Sequence, residues 1–230
     1  MRIGIDLGGT KIAAVAIDAR GGVRQRRRRA TPRHDYAGTL DAIAGLVDEL
    51  DAPGTPTASV GIAVPGAIDP GTRLLKNANS TWLIGTPLHD DLAERLQRPV
   101  RLANDADCFA LSEASDGAAA GESPVFGVIL GTGVGGGIVV NGGLLAGPNA
   151  IAGEWGHNPL PRMTATEAPG PACYCGRRGC IETFLSGPGL SADYTTAGGG
   201  DAVPAAEIAT RAEAGEAAAT AALDRYLDRL

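Results

Sequence analysis

The sequence predicts an α/β protein of two domains. Three observations carry that expectation. Short apolar runs ended by glycine turns alternate with segments of helical periodicity through the first half of the chain. A polar, glycine-bearing stretch from Asp116 to Pro124 then breaks the pattern, and beyond it a strand, a glycine turn and a second strand return as they stand in the opening residues. The boundary falls in that stretch, giving domains 1-120 and 121-230.

The elements follow in order. Ile3 to Leu7, the turn Gly8-Gly9-Thr10 and Ile12 to Ile17 read as a β-hairpin. Gly21-Gly22 makes the next turn, and Val23 to Ala30 continues as a third strand with Arg24 and Arg26 to Arg29. That basic run lacks interleaved aromatics, so it reads as a charged edge strand that resists aggregation and not as a nucleic-acid surface. Leu40, Ile43, Ala44, Leu46, Val47 and Leu50 share one helical face, and Val60 to Val64 is a short buried strand closed by Pro65-Gly66. After turns through Trp82, Leu88 to Leu96 is helical, Val100 to Ala103 is a strand, and a helix opens at Asn104-Asp105 and runs through Glu113. Phe126 to Leu130, the glycine run 131 to 137 and Ile138 to Val140 repeat the opening device, and alanine-rich helices cover Pro204 to Ala214 and Glu216 to Leu230.

Composition narrows the function. In 230 residues, 44% are hydrophobic and 20% charged, which excludes a disordered chain. Net charge is −6, contrary to affinity built on neutralising nucleic-acid phosphates. No apolar run reaches the roughly 20 residues of a membrane span, and Met1 to Asp6 reads as a strand instead of a signal peptide. A cytoplasmic protein is expected, with no nucleic-acid or membrane partner. The 34 glycines are about double the average share, and they cluster after apolar runs, as they do where backbone approaches a ligand closely.

Two of those clusters expose backbone N–H groups at tight turns, the arrangement that cradles anionic oxygen: Asp6-Leu7-Gly8-Gly9-Thr10-Lys11 and Gly131-Thr132-Gly133-Val134-Gly135-Gly136-Gly137. Either alone could be a plain hairpin turn; two with matching flanks suggest a polyphosphate. The second formally contains G-x-G-x-x-G, but β-branched residues follow it where a dinucleotide fold has a helix. Lys11, one of two lysines in the chain, suits a phosphate as a point charge. Asp6, at a strand end beside the turn, could hold Mg²⁺ through water, or simply shape the turn. His157, Cys173, Cys175 and Cys180 form the ligand set of a closed structural Zn²⁺ site, since four protein ligands leave no open position. Cys108 is expected in the core.

Asp6 to Lys11, Ala103-Asn104-Asp105-Ala106, Gly131 to Gly137, Glu154-Trp155-Gly156-His157 and Cys173-Tyr174-Cys175-Gly176-Arg177-Arg178-Gly179-Cys180-Ile181-Glu182 occur in the order seen in ROK sugar kinases. The chain resembles that family over essentially its whole length. Within it, Lys76 to Leu83 and Gly153 to Pro161 look most like the bacterial fructokinase and mannofructokinase branch, with N-acetylglucosamine kinases and glucokinases as the alternative. The resemblance implies the actin-like, hexokinase-type fold, in which two α/β domains close on ATP and a sugar. Gly4, Ile5 and the two glycine turns would then serve ATP, and Asp105 would be the general base that activates a sugar hydroxyl. Taken alone, Asn104-Asp105 reads first as a helix cap, and it is the resemblance that turns Asp105 into a base. Gly66, Asn79, Asn104, Glu154, His157 and Glu182 would contact the sugar, with the zinc loop pinning Glu154 and Glu182. The expected reaction is fructose to fructose 6-phosphate, and a homodimer is allowed. Sugar-sensing repressors of the family resemble kinases with an added DNA-reading helix pair, for which a strand starting at Met1 leaves no room. Family members run for roughly another quarter of this length, so a truncated C-terminus, and with it an inactive fragment, is a further expectation.

Overall fold

The computed structural model describes residues 1–51, 58–78 and 80–230. The described chain divides into two compact units, Met1–Ser112 with Leu144–Ala152, and Glu113–Gly143 with Gly153–Leu230. The first passage between them therefore lies inside a helix, and residues 144–152 return to the first unit, unlike the single division expected between residues 120 and 121.

In the first unit, β1 (Arg2–Leu7), β2 (Lys11–Ile17) and β3 (Val23–Ala30) form an antiparallel meander. After α1 (Tyr36–Leu50), β4 (Ser59–Val64) adds parallel to β1. A small hairpin, β5 (Ala67–Ile68) with β6 (Leu75–Lys76), precedes α2 (Leu88–Leu96), β7 (Val100–Asn104) and α3 (Asp105–Ser115). The sheet order is β3-β2-β1-β4-β7, so the arginine strand is an edge strand, and it is exposed along its whole length, as expected.

Strand alternation explains the layering. Ile3, Ile5, Leu7, Ile12, Ala14, Val60, Ile62 and Val64 point to one face and are buried with Ile43, Leu46 and Val47 of α1 and Leu88 and Leu92 of α2. Asp35 caps α1 by accepting from the Gly38 N–H at 2.8 Å. The opposite face carries small residues, Gly4, Gly61, Ala63 and Ala103, and lines a cavity of about 1080 Å³ whose walls include Arg26, Arg28 and Phe109. Cys108 lines the same cavity and is half-buried, not the core residue expected from its place on α3.

In the second unit, β8 (Val125–Leu130) pairs antiparallel with β9 (Val134–Val140), beside the two-residue strand β10 (Gly143–Leu144), where the chain passes between units. The expected glycine turn over 131–137 is shorter than the glycine run: only 131–133 turn, and Gly135, Gly136 and Gly137 lie in β9 opposite Ile129, Val128 and Gly127. A 3₁₀ turn (Trp155–His157), α4 (Glu182–Leu185), α5 (Gly187–Thr196), α6 (Ala205–Glu213) and α7 (Ala217–Arg229) complete the unit. Its apolar residues form two clusters, Val134, Leu160, Ile181, Phe184 and Leu185, and Leu190, Tyr194, Ile208, Ala219 and Ala222. Among the described residues, no helix is long and apolar enough to cross a membrane.

Candidate functional site

In the first unit the parallel strands β1, β4 and β7 place Asp6, Gly66 and Asn104-Asp105 at or just beyond their C-terminal ends, the edge where open α/β sheets bind ligands. Gly4 and Ile5 lie further back in β1, and the Ile5 side chain is in the core. Leu7 is buried too, so what residues 7–9 offer at the turn is backbone; the Gly8 N–H bonds the Lys11 carbonyl at 3.0 Å. The Thr31 hydroxyl fixes the turn from outside by donating to the Gly8 carbonyl at 2.7 Å. Lys11 is exposed beside it.

Asn104 is bonded at both ends of its amide. Its Oδ1 accepts from the backbone N–H of Ala106 at 2.8 Å and of Asp107 at 3.2 Å, which caps α3, while Nδ2 donates to the Gly66 carbonyl at 3.0 Å. Gly66 has φ 81°, and a Cβ there would strike the backbone of Lys76 to Ala78, so the glycine is required by the β5–β6 hairpin itself. Asp105, the first residue of α3, is exposed, yet neighbouring protein strips enough water from its carboxyl to raise its pKa. The negative charge of Asp6 adds to the rise, and the Ala106 N–H opposes it. The two carboxylates are thus close enough to feel one another. Asn79 lies outside the described residues.

In the second unit the Gly131 N–H bonds the Gly133 carbonyl at 2.9 Å, leaving a tight turn with Thr132 at its tip. The Val134 N–H is bonded to Glu182 Oε2 at 2.9 Å, which joins the start of α4 to this turn. Glycines 135 to 137 have a different task. Gly153 and the Trp155–His157 turn lie directly on β9: Trp155 Nε1 donates to the Gly135 carbonyl at 2.8 Å, and a Cβ on Gly136 would come within 3.2 Å of the Gly153 carbonyl oxygen. The glycine run thus lets the half-buried Glu154 and His157 be carried on β9.

His157, Cys173, Cys175 and Cys180 converge, with their four ligand atoms all within 4.8 Å of one another. Cys175 Sγ and Cys180 Sγ are 3.6 Å apart, and Cys173 Sγ and His157 Nδ1 are 3.5 Å apart. Tetrahedral Zn²⁺ with ordinary bond lengths needs edges of about 3.5–3.8 Å, so the donor set and its spacing fit the ion. Backbone hydrogen bonding from Arg177 already holds the Cys175 thiol down, to about 7. On its other side, His157 Nε2 meets the Tyr174 hydroxyl at 3.0 Å, a contact the sequence reading did not anticipate. Because the bridge between Pro159 and Cys180 joins the two ends of the loop, the cluster sits between Glu154 and Glu182 along the chain and braces both segments.

A protein-family model described as the ROK family matches residues 2–230. The N-acetyl-D-glucosamine kinase of Pectobacterium atrosepticum is 42% identical over 234 residues, spanning all of this chain and 77% of the relative. That of Salmonella typhimurium is 43% identical over the same shares. Among solved structures, the ROK hexokinase of Thermus thermophilus superposes with a TM-score of 0.83 at 31% identity, over 99% of this chain and 74% of that one. A ROK family glucokinase from Streptomyces griseus, in complex with glucose and AMPPNP, gives 0.75 at 30%, over 98% and 75%. These comparisons overturn the fructokinase branch expected from Lys76–Leu83 and Gly153–Pro161: the two relatives at 42–43% identity, which match along the whole chain, are named for N-acetyl-D-glucosamine. Hexoses differ by a few hydroxyl contacts, and two short stretches do not separate them.

Proposed function

The chain belongs to the ROK family, has its actin-like sugar kinase fold and is a phosphotransferase acting on a sugar hydroxyl; from that premise we propose that it transfers the γ-phosphoryl group of ATP to N-acetyl-D-glucosamine. The observation that carries the choice of sugar is the 42–43% identity, along the entire chain, to kinases named for that sugar.

In this reading Asp105 is the general base. It takes the proton of the attacking hydroxyl, and its raised pKa makes it a stronger base than a free carboxylate. Asn104 spends Oδ1 on the helix cap, so it addresses the sugar through the second hydrogen of Nδ2. Glu154, His157 and Glu182 supply hydrogen bonds to sugar hydroxyls, and a wrong sugar leaves some of them unpaired. Each unit contributes a turn suited to phosphate oxygens, Leu7 to Lys11 in the first and Gly131 to Gly133 in the second. Asp6 would hold Mg²⁺ through water, and the ion would neutralise phosphate charge. His157, Cys173, Cys175 and Cys180 would hold Zn²⁺ in a structural role. A coupled ATP-consumption assay over a sugar panel tests the reading. N-acetyl-D-glucosamine is expected to give the highest kcat/KM, and a higher value for glucose, mannose or fructose would overturn the choice.

A further inference from the structure

Glu182 opens α4 just after Cys180, and its carboxylate lies against the 131–133 turn. Oε2 accepts from the Val134 N–H at 2.9 Å, and a Cβ on Gly133 would come within 2.7 Å of the same oxygen. Gly133 does not have a positive φ, so it is the carboxylate, and not the backbone conformation, that keeps a side chain out of this position. The other flank of the turn is held from just beyond the same helix, where the Gly187 N–H donates to the Gly131 carbonyl at 2.8 Å. Between those anchors the turn has one bond of its own, from the Gly131 N–H to the Gly133 carbonyl. Among the described residues, neither the Thr132 nor the Gly133 N–H is bonded to protein, and these are the donors the turn can offer an anion. Helix α4 is itself fixed to the cysteine loop. The Cys180 carbonyl accepts from the Thr183 N–H at 2.9 Å and from the Thr183 hydroxyl at 2.7 Å, and the Ile181 N–H donates to the Asn158 carbonyl at 2.9 Å.

We propose that Glu182 is a positioning residue for the second phosphate turn as well as a sugar contact, so that one carboxylate links sugar binding to nucleotide binding in this unit. This rests on the reading of Glu182 as a sugar-contacting residue and of residues 131–133 as a phosphate turn. A carboxylate has about four lone-pair sites, so the bond to Val134 leaves capacity to accept from a sugar hydroxyl. A sugar bound to the carboxylate restrains it, and the restrained carboxylate holds the turn with its free N–H groups converging. A turn already held by phosphate restrains the carboxylate for the sugar in the same way. Each ligand then meets a segment that the other has ordered, and the coupling is reciprocal.

Glu182→Ala and Glu182→Gln separate this role from sugar contact, and Gly133→Ala tests it from the other side. In the full 230-residue chain, saturating N-acetyl-D-glucosamine is expected to lower the Kd of wild-type protein for AMPPNP with Mg²⁺ about 3- to 10-fold, measured by calorimetric titration. Without sugar, Glu182→Ala is expected to raise that Kd about 3- to 10-fold, the equivalent of one hydrogen bond, and to abolish the effect of sugar. Glu182→Gln, whose amide oxygen can still accept from Val134, should hold the sugar-free Kd for AMPPNP within about twofold of wild type while it weakens sugar binding. Gly133→Ala displaces the carboxylate and should raise the sugar Kd in the absence of nucleotide, although residue 133 is no sugar contact. Zinc content by metal analysis is expected at the wild-type level in all three. The proposal is overturned by a wild-type AMPPNP Kd that sugar does not change, by a sugar-free Kd unchanged or lowered in Glu182→Ala, by a glutamine variant as weak as the alanine one, by an unchanged sugar Kd in Gly133→Ala, or by loss of zinc. Any of these in protein whose wild type binds both ligands removes this inference alone. Wild-type protein that binds no hexose or no AMPPNP would remove the kinase reading with it.

Discussion

Asp105 serves two ends that pull against each other. As the first residue of α3 it is well placed for the helix, with acidic charge near the N-terminal dipole, while desolvation and the charge of Asp6 push its carboxyl toward the neutral form. A raised folded-state pKa means that the fold opposes ionisation, so stability is lost as pH rises from the unfolded value through the folded one. Asp105→Asn keeps the shape and removes that cost. The variant is expected to show a higher Tm at neutral pH together with kcat lowered by about 10²- to 10⁴-fold, read by thermal melts and the coupled assay. Wild-type kcat/KM should fall on acidification with a limb above the ordinary aspartate pKa of about 3.9, because the base must be deprotonated to act. Equal turnover by the variant would remove the base assignment, and a lower Tm would remove the desolvation argument.

At the scale of elements, the most informative stretch is β9 and the 3₁₀ turn that rests on it. Gly156 has no room for a side chain, since a Cβ there would overlap the Val134 carbonyl, and Trp155 is anchored to Gly135 one residue on. Gly156→Ala must push the turn away from the strand, and should cost about 1–3 kcal/mol in urea denaturation with a weaker sugar Kd. Unchanged stability would show that the turn relaxes freely. Helix α5 makes the opposite lesson. Its opening, Gly187-Pro188-Gly189, reads as a turn, and the segment has little amphipathic pattern, so the sequence pointed to no helix there. The Ser186 hydroxyl caps it by accepting from the Gly189 N–H at 3.1 Å, and burial of Tyr194, which donates to Glu216 at 2.6 Å, holds it against α6 and α7.

For the molecule as a whole, the cysteine cluster joins separate segments of the second unit. It ties the Trp155–His157 turn to α4, and the Glu182 at the start of that helix bonds the 131–133 turn. Stoichiometric metal removal by a chelator is therefore expected to lower Tm and sugar affinity together, with readdition of Zn²⁺ restoring both. Loss of neither on complete removal, checked by metal analysis, would refute the site. The main strands and helices of the first unit, the arginine edge strand, the grouping of His157 with Cys173, Cys175 and Cys180 and the start of α3 at Asp105 were legible in the sequence, because periodicity, turn residues and the chemistry of side-chain types are local properties. The sequence left open what the glycines and amides bond to. Only the tertiary structure decided that Gly135 to Gly137 are strand and not turn, that Gly66 and Asn104 are bonded to each other, and that Tyr174 reaches His157. Those contacts join residues far apart in the chain or depend on where a side chain can fit, and neither is written in the spacing of residue types along one segment.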